Sequence, residues 1–146
     1  SGLSGHLWTV ADQWGDYESI RESIVEGGFP TVGELRGQVI LALLDGGAPK
    51  EAYTRGDTDI QDRVMFPLMP VEHEWAGYFL RDDPYSEEIS LLHEAGFLVR
   101  TRADAGLIYD EERWMTAYNG LANAISMDTQ EGLQHLDVEN PVRVLD

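Results

Sequence analysis

The ten residues GFLVRTRADA, from Gly96 to Ala105, carry the pattern that best predicts how this sequence folds. An apolar run, 97–99, leads into Arg100, Arg102 and Asp104, which are spaced two apart. Residues two apart in a strand point to the same side, so two cations and a carboxylate would share one face. We therefore predict a strand with one polar face. Its opposite face, which a covering helix would bury, consists of Phe97, Val99, Thr101 and Ala103.

Helices are predicted before and after this strand in the sequence. Asp83-Pro84, followed by two glutamates, is typical of a helix start, and Gly96 provides the stop. Leu91, Leu92 and Ala95 would form the buried stripe of this helix. A second helix is predicted over 110–121, with acidic residues at its start and with Trp114, Met115 and Tyr118 as apolar anchors.

The remaining elements complete an alternation of strands and helices. The run QVILALL, 38–44, is continuously apolar, as in a strand that is buried on both faces of a parallel sheet. Such alternation predicts an α/β fold with parallel strands and right-handed crossovers. The other predicted elements are a helix over 16–26, a capping box at Thr31 and Glu34, and strands over 64–66, 76–80 and 122–127.

Three of the predicted strands end in an aspartate: Asp45, Asp104 and Asp128. In parallel α/β folds, ligands bind at the carboxyl ends of strands. Arginine holds phosphate oxygens in a bidentate fork, so Arg100 and Arg102 favour a polar, anionic ligand there. The alternative is an internal ion-pair network, because buried charges need partners in either case. The spacing does not decide between them.

The composition excludes several classes of protein for this chain. The chain has 146 residues, 42% of them apolar, which is enough for one compact α/β unit over 1–146. Its formal net charge of −17 argues against nucleic-acid binding, which requires an excess of Lys and Arg. Cysteine is absent, which excludes disulfides and thiolate metal sites. No stretch approaches the roughly 20 apolar residues of a membrane span.

The histidines indicate no catalytic or metal site. Glu72-His73-Glu74 has metal-binding residue types, but no second histidine lies at ligand spacing, so a solvated loop is favoured. His93 falls in the helix that follows Pro84, and His6 and His135 lie near the two ends without a motif. Dinucleotide, P-loop and zinc-protease motifs are all absent from the sequence.

Taken in order, several segments resemble one known family. PTVGELRGQVILALLDG, VMFP, RDDP, LLHEAGFLVRTRADA and ANAISMDT resemble the C-terminal half of the calcium-dependent, phosphoinositide-specific phospholipase C family, which belongs to the TIM-barrel phosphodiesterases. The resemblance covers about residues 29 to 129, and GFLVRTRADA is its most specific part. Met127 departs from the family, which more often has Ser-Thr-Asp there.

The resemblance implies a fold and a site. The strands would be the fifth to eighth of a (β/α)8 barrel, so the chain would form about half of a TIM barrel. Arg100, Arg102 and Asp104 would line the barrel mouth and bind the inositol phosphate or its diester, with Asp45 and Asp128 on neighbouring strands. In the family, the catalytic histidines and most calcium ligands come from the N-terminal half, which these residues do not include. Calcium is thus implied by the family, with ligands expected mostly outside this chain.

Three hypotheses follow for function. The chain is the C-terminal part of a phospholipase C-like phosphodiesterase, completed by a partner that carries the histidines, and is inactive alone. Alternatively, it is an inactive half-barrel that binds anions and pairs with itself, or a structural α/β domain. A glycerophosphodiester phosphodiesterase-like barrel fragment is a related alternative to the first. A peripheral contact with a membrane is compatible with a lipid substrate, while the compartment is not indicated.

Overall fold

The computed structural model describes residues 3–132 of the chain, with side chains from Gly5 onward. Among these residues, no helix combines the length and the apolar character that a membrane crossing requires. The chain divides into two compact units. The first consists of residues 1–79 with 95–97, and the second of residues 80–94 with 98–146.

The first unit combines short helices with two small parallel sheets. Strand β1 pairs with β2 and strand β3 pairs with β4, in both cases in parallel. The centre of the unit is apolar, and Val10, Ile20, Ile24, Ile60 and Phe66 are fully buried or nearly so. The elements are a 3-10 helix Leu3–His6, β1 Leu7–Trp8, α1 Val10–Trp14, α2 Ile20–Glu22, a π-helical turn Ser23–Gly27, β2 Val39–Ile40, β3 Ala42–Leu43, α3 Gly47–Thr54 and β4 Phe66–Pro67.

Side-chain caps decide where the helices of the first unit begin. The predicted helix over 16–26 begins only at Ile20, because the Ser19 hydroxyl accepts a hydrogen bond from the backbone N–H of Glu22. The predicted end is confirmed, since Gly28 closes the π-helical turn with a φ of 76°. The capping box of Thr31 and Glu34 is also confirmed, although it closes a turn and not a longer helix.

The prediction of one continuous, doubly buried strand over 38–44 is wrong. The run forms β2 and β3, which are separated at Leu41, and Val39, Leu41 and Leu44 are exposed. Within the described residues, β2 hydrogen-bonds only to β1, and β3 only to β4. An apolar strand is buried on both faces when layers cover both sides of its sheet, and this two-stranded arrangement leaves part of the run uncovered.

A sheet of three strands in the order β5-β6-β7 contains both complete strands of the second unit, β6 and β7. Strands β6 and β7 are parallel, and their register places Arg100 opposite Ala124 and Arg102 opposite Ser126. The second unit consists of α4 Glu88–Glu94, β6 Leu98–Arg102, α5 Glu111–Asn119 and β7 Ala124–Ser126, and it begins at the last residue of β5 Tyr78–Leu80.

The central prediction about β6 is confirmed. Phe97, Val99, Thr101 and Ala103 are all buried, whereas Leu98, Arg100 and Arg102 are only half-buried. The start of α5 is confirmed as well, because the Asp110 carboxylate accepts a hydrogen bond from the backbone N–H of Arg113. The α/β class with parallel strands is therefore confirmed, in sheets that are small and not closed into a barrel.

The start of α4 was predicted wrongly. Asp83 accepts a hydrogen bond from the Tyr85 N–H and closes a local turn, so the helix begins at Glu88 and not at Pro84. The buried stripe is also shifted, because Ile89 and Leu92 are buried while Leu91 is exposed. The strands predicted over 64–66, 76–80 and 122–127 are found as β4, β5 and β7, which are shorter or shifted by one or two residues.

Candidate anion-binding wall

Strand β6 presents two arginines on one face of the second unit. Arg100 and Arg102 are two residues apart at the carboxyl end of the strand, and their side chains are 22% and 30% exposed. The buried face on the other side of β6 fixes the orientation of both side chains. The two guanidinium groups are thus held in place and remain partly open to solvent.

Each arginine already has an acidic partner. Arg100 donates one hydrogen bond to the Asp82 carboxylate, at 2.9 Å, and another to the hydroxyl of Ser126. Arg102 donates to the Asp128 carboxylate. Asp82 follows β5, while Ser126 and Asp128 belong to the end of β7, so both neighbours of β6 contribute to the site.

Asp104 has a different environment from the other acids. Its carboxylate is fully buried and accepts hydrogen bonds from the N–H of Asp128, at 2.8 and 3.0 Å, and from the N–H and hydroxyl of Thr129, both at 2.8 Å. Burial alone would raise the pKa of this carboxyl, but these hydrogen bonds and the charge of Arg102 outweigh burial and lower the pKa. Asp104 therefore holds the turn after β7, and it would act on a ligand through Asp128.

A third arginine joins the network from helix α5. Arg113 donates to the backbone carbonyl of Asp82 and lies 3.7 Å from the Asp83 carboxylate. It fixes the backbone of the segment that carries the partner of Arg100. Sequence reasoning missed four contributors to this site: Asp82, Arg113, Ser126 and Thr129. The sequence does contain a signal for Asp82, because this residue follows a predicted strand just as Asp45, Asp104 and Asp128 do.

The network leaves two donors unused. The Nε atoms of Arg102 and Arg113 are buried and have no hydrogen-bond partner among the described residues. Buried polar groups are usually paired, so an orphan donor indicates a place where a ligand or water completes the site. The arrangement can present several N–H donors and one hydroxyl to an anion that has more than one oxygen. We call Arg100, Arg102, Ser126, Asp82 and Asp128 the arginine wall.

Asp45 is the one predicted site residue that lies in the first unit. It is exposed in the segment between β3 and α3. The structure thus brings Arg100, Arg102, Asp104 and Asp128 together in the second unit, while Asp45 belongs to the first unit.

The described residues do not fit calcium by themselves. Calcium takes six to eight oxygen ligands, whereas Asp82 and Asp128 are paired with arginines and Asp104 is surrounded by backbone donors. Within residues 3–132, no group of three or more histidine or carboxylate side chains is placed to hold a metal ion. His73 of the Glu-His-Glu segment accepts the N–H of Trp75 with its Nδ1.

The described residues combine an α/β fold with two arginines at the carboxyl end of a parallel strand. The family model described as phosphoinositide phospholipase C, Ca2+-dependent, matches residues 4–138. The chain belongs to this family, and the resemblance seen over residues 29–129 is confirmed and extended at both ends. No curated protein and no solved structure matches the chain.

Proposed function

We propose that the arginine wall binds the phosphate of a phosphoinositide or a related anionic phosphodiester. The observation that carries this proposal is the pair Arg100 and Arg102, which are half-buried on one face of β6, together with the buried Nε of Arg102, which has no partner among the described residues. A guanidinium fork matches two oxygens of a phosphate, and it stays charged at any working pH.

The acidic partners orient the guanidinium groups before a ligand binds. Asp82 and Asp128 are more exposed than the arginines they contact, so they are the partners that a phosphodiester would displace. The Ser126 hydroxyl would donate to or accept from the same ligand. During cleavage of a phosphodiester, guanidinium groups placed in this way would stabilise charge that develops on the phosphoryl oxygens.

We propose further that the chain supplies the C-terminal strands of a (β/α)8 barrel. This is supported by the family, by the parallel strands, and by the exposed apolar residues Val39 of β2 and Leu41 and Leu44 on either side of β3, which a further layer or neighbouring strand would cover. The complement would bring the catalytic histidines and most of the ligands for calcium. A second copy of this chain is the alternative complement, and it would form an anion-binding assembly without catalysis.

The binding proposal is tested with a small soluble ligand. Titration with myo-inositol 1-phosphate, followed by NMR or calorimetry, should give saturable binding that Arg100→Gln and Arg102→Gln each weaken about tenfold or more, since a hydrogen bond to a charged group contributes about 1.5–3 kcal/mol. Arg55→Gln is the matched control, because Arg55 is likewise paired with carboxylates, those of Asp59 and Asp62, but lies outside the wall. Equal affinity in all three variants would reject the wall and leave an internal ion-pair network.

The barrel proposal has its own test. Native mass spectrometry of the protein purified from its natural source should find either a second, histidine-bearing polypeptide or a homodimer. Assays on phosphatidylinositol, with calcium and with a chelator, should then give turnover only for the complex with the histidine-bearing polypeptide. Turnover by this chain alone would contradict the proposed division of labour.

A further inference from the structure

An open cleft lies beside the loop that follows α1. Its volume is about 400 Å³, which is within the range of small-molecule sites. The residues of the described chain that line it all belong to the first unit, whereas the arginine wall belongs to the second. They are Ala11, Trp14, Gly15, Asp16, Tyr17 and Gln61. The cleft and the arginine wall are therefore built from different residues.

Two aromatic residues of the cleft are held in place by hydrogen bonds between them. The indole N–H of Trp14 donates to the carbonyl of Tyr17 at 3.0 Å, and the backbone N–H of Tyr17 donates to the carbonyl of Trp14 at 3.2 Å. Gly15, with a φ of 55°, lets the chain turn back between them. The Tyr17 hydroxyl lies so close to Gly27 that a Cβ there would be only 2.8 Å away. The aromatic pair is thus fixed before a ligand binds, which lowers the entropy cost of binding.

Two polar side chains line the same cleft. Asp16 lies between the two aromatic residues in the sequence, and Gln61 comes from the segment between α3 and β4. The backbone of Gln61 is held by a hydrogen bond from its N–H to the Asp59 carboxylate, at 2.9 Å, and both Asp16 and Gln61 are exposed. A carboxylate only accepts hydrogen bonds, whereas a primary amide both donates and accepts them. We call Trp14, Asp16, Tyr17 and Gln61 the aromatic cleft.

We propose that the aromatic cleft binds the ring of a neutral carbohydrate. A sugar ring has a face of C–H groups, which suits the apolar surface of tryptophan and tyrosine, and an edge of hydroxyl groups. Hydroxyl groups donate and accept hydrogen bonds, so they would use the Asp16 carboxylate and the Gln61 amide together. The proposal does not rest on the arginine wall, because the two sites share no residue.

Charge separates this ligand from other classes. The Asp16 carboxylate and the net charge of −17 disfavour an anion in the cleft. An organic cation would use the aromatic rings and the carboxylate, but it would leave the N–H donors of Gln61 without an acceptor. A neutral ring with hydroxyl groups is the ligand that uses all four residues of the aromatic cleft.

The test uses ligand-observed NMR with three neutral probes, the methyl glycosides of glucose, mannose and galactose. At least one probe should receive saturation from the protein, most strongly at its C–H protons, with a Kd on the order of 1 mM for a ligand of about 13 non-hydrogen atoms. Tyr17→Ala and Gln61→Ala should each weaken its binding about fivefold or more. Because both side chains are exposed, neither change should lower the melting temperature by more than a few degrees.

Two matched control variants replace the same residue types outside the cleft. Tyr85 is 53% exposed and Gln38 is exposed, and neither lines the cleft. Tyr85→Ala and Gln38→Ala should therefore bind the probe as the wild type does. A loss in these controls as large as in the cleft variants would overturn the proposal, because binding would then not depend on this site.

Three further results would overturn the proposal. None of the glycosides binds the wild type, the cleft variants bind as well as the wild type, or tetramethylammonium binds while the glycosides do not, which would make the cleft a cation site. Titration with myo-inositol 1-phosphate separates the cleft from the proposed function. Gln61→Ala should bind this anion as the wild type does, and a loss would show that both probes share the cleft and would overturn the assignment of a separate site for neutral sugars.

Discussion

Replacing Asp104 by asparagine should destabilise the protein strongly, although Asp104 is a site residue in the sequence-based prediction. Its buried carboxylate accepts hydrogen bonds from three groups, namely the N–H groups of Asp128 and Thr129 and the Thr129 hydroxyl. An asparagine that keeps its carbonyl oxygen in the place of Oδ2 turns its NH2 toward the N–H of Asp128 in the place of Oδ1, and it removes the negative charge that strengthens all of these hydrogen bonds. Weakening three charge-assisted hydrogen bonds in this way costs about 2–4 kcal/mol in the free energy of unfolding. With a urea dependence of about 1–3 kcal/mol/M, the unfolding midpoint should fall by about 1–2 M.

Asp128→Asn is the control for this variant. It changes an exposed side chain and keeps the backbone N–H that Asp104 binds, so the loss should stay below about 1 kcal/mol. Urea denaturation at pH 7 gives both values. Equal midpoints for wild type and Asp104→Asn would refute the role of this carboxylate in holding the turn after β7.

The Asp104 carboxyl also makes the stability of the protein depend on pH. Burial raises the pKa of Asp104, but the hydrogen bonds and Arg102 lower it to a net value below the ordinary one. The stabilisation is therefore complete above the unfolded pKa of about 4 and is lost as the pH falls through the lower folded pKa. The difference in stability between wild type and Asp104→Asn should shrink below about pH 4, and a constant difference would count against this assignment.

Two further predictions concern the wall and the first unit. Asp82→Asn should raise the affinity for myo-inositol 1-phosphate about two- to fivefold, as measured by calorimetry, because it releases Arg100 from an exposed ion pair. Weaker binding by this variant would mean that Asp82 chiefly orients Arg100. Gly96→Ala should lower the melting temperature by several degrees more than Gly106→Ala, although both glycines have positive φ. A Cβ at Gly96 would lie 3.0 Å from the Ile24 carbonyl oxygen, whereas Gly106 faces open space, so equal losses would exclude the contact as the cause.

The elements that the sequence predicts well are those with local causes. The two faces of β6 follow from alternation alone, because each residue type matches the side it must occupy. The start of α5 follows from the carboxylate of Asp110, which lies within reach of the N–H of Arg113 wherever the helix packs. The grouping of Arg100, Arg102 and Asp104 is predictable for the same reason, since their spacing and their strand lie in one short segment.

The elements that were missed depend on the rest of the molecule. The segment 38–44 has the composition of a buried strand, but its burial depends on layers that residues outside the segment must supply. At α4, two local signals compete, and the turn closed by Asp83 prevails over Pro84 as a helix start. Asp82 was missed as a partner of Arg100 because 18 positions separate them in sequence, and only the pairing of β5 with β6 makes them neighbours.

The charges of the wall bear on how a chain this acidic would bind an anion under the proposed function. Each arginine of the wall, and Arg113 of the same network, faces an aspartate, so the wall would not attract phosphate through an excess of positive charge. In each pair the carboxylate is more exposed than the guanidinium, and it can turn to water while the arginine keeps its place. A phosphodiester would therefore replace the aspartates as hydrogen-bond partner of guanidinium groups that stay in place. Its recognition would depend on the geometry of these N–H donors more than on long-range attraction.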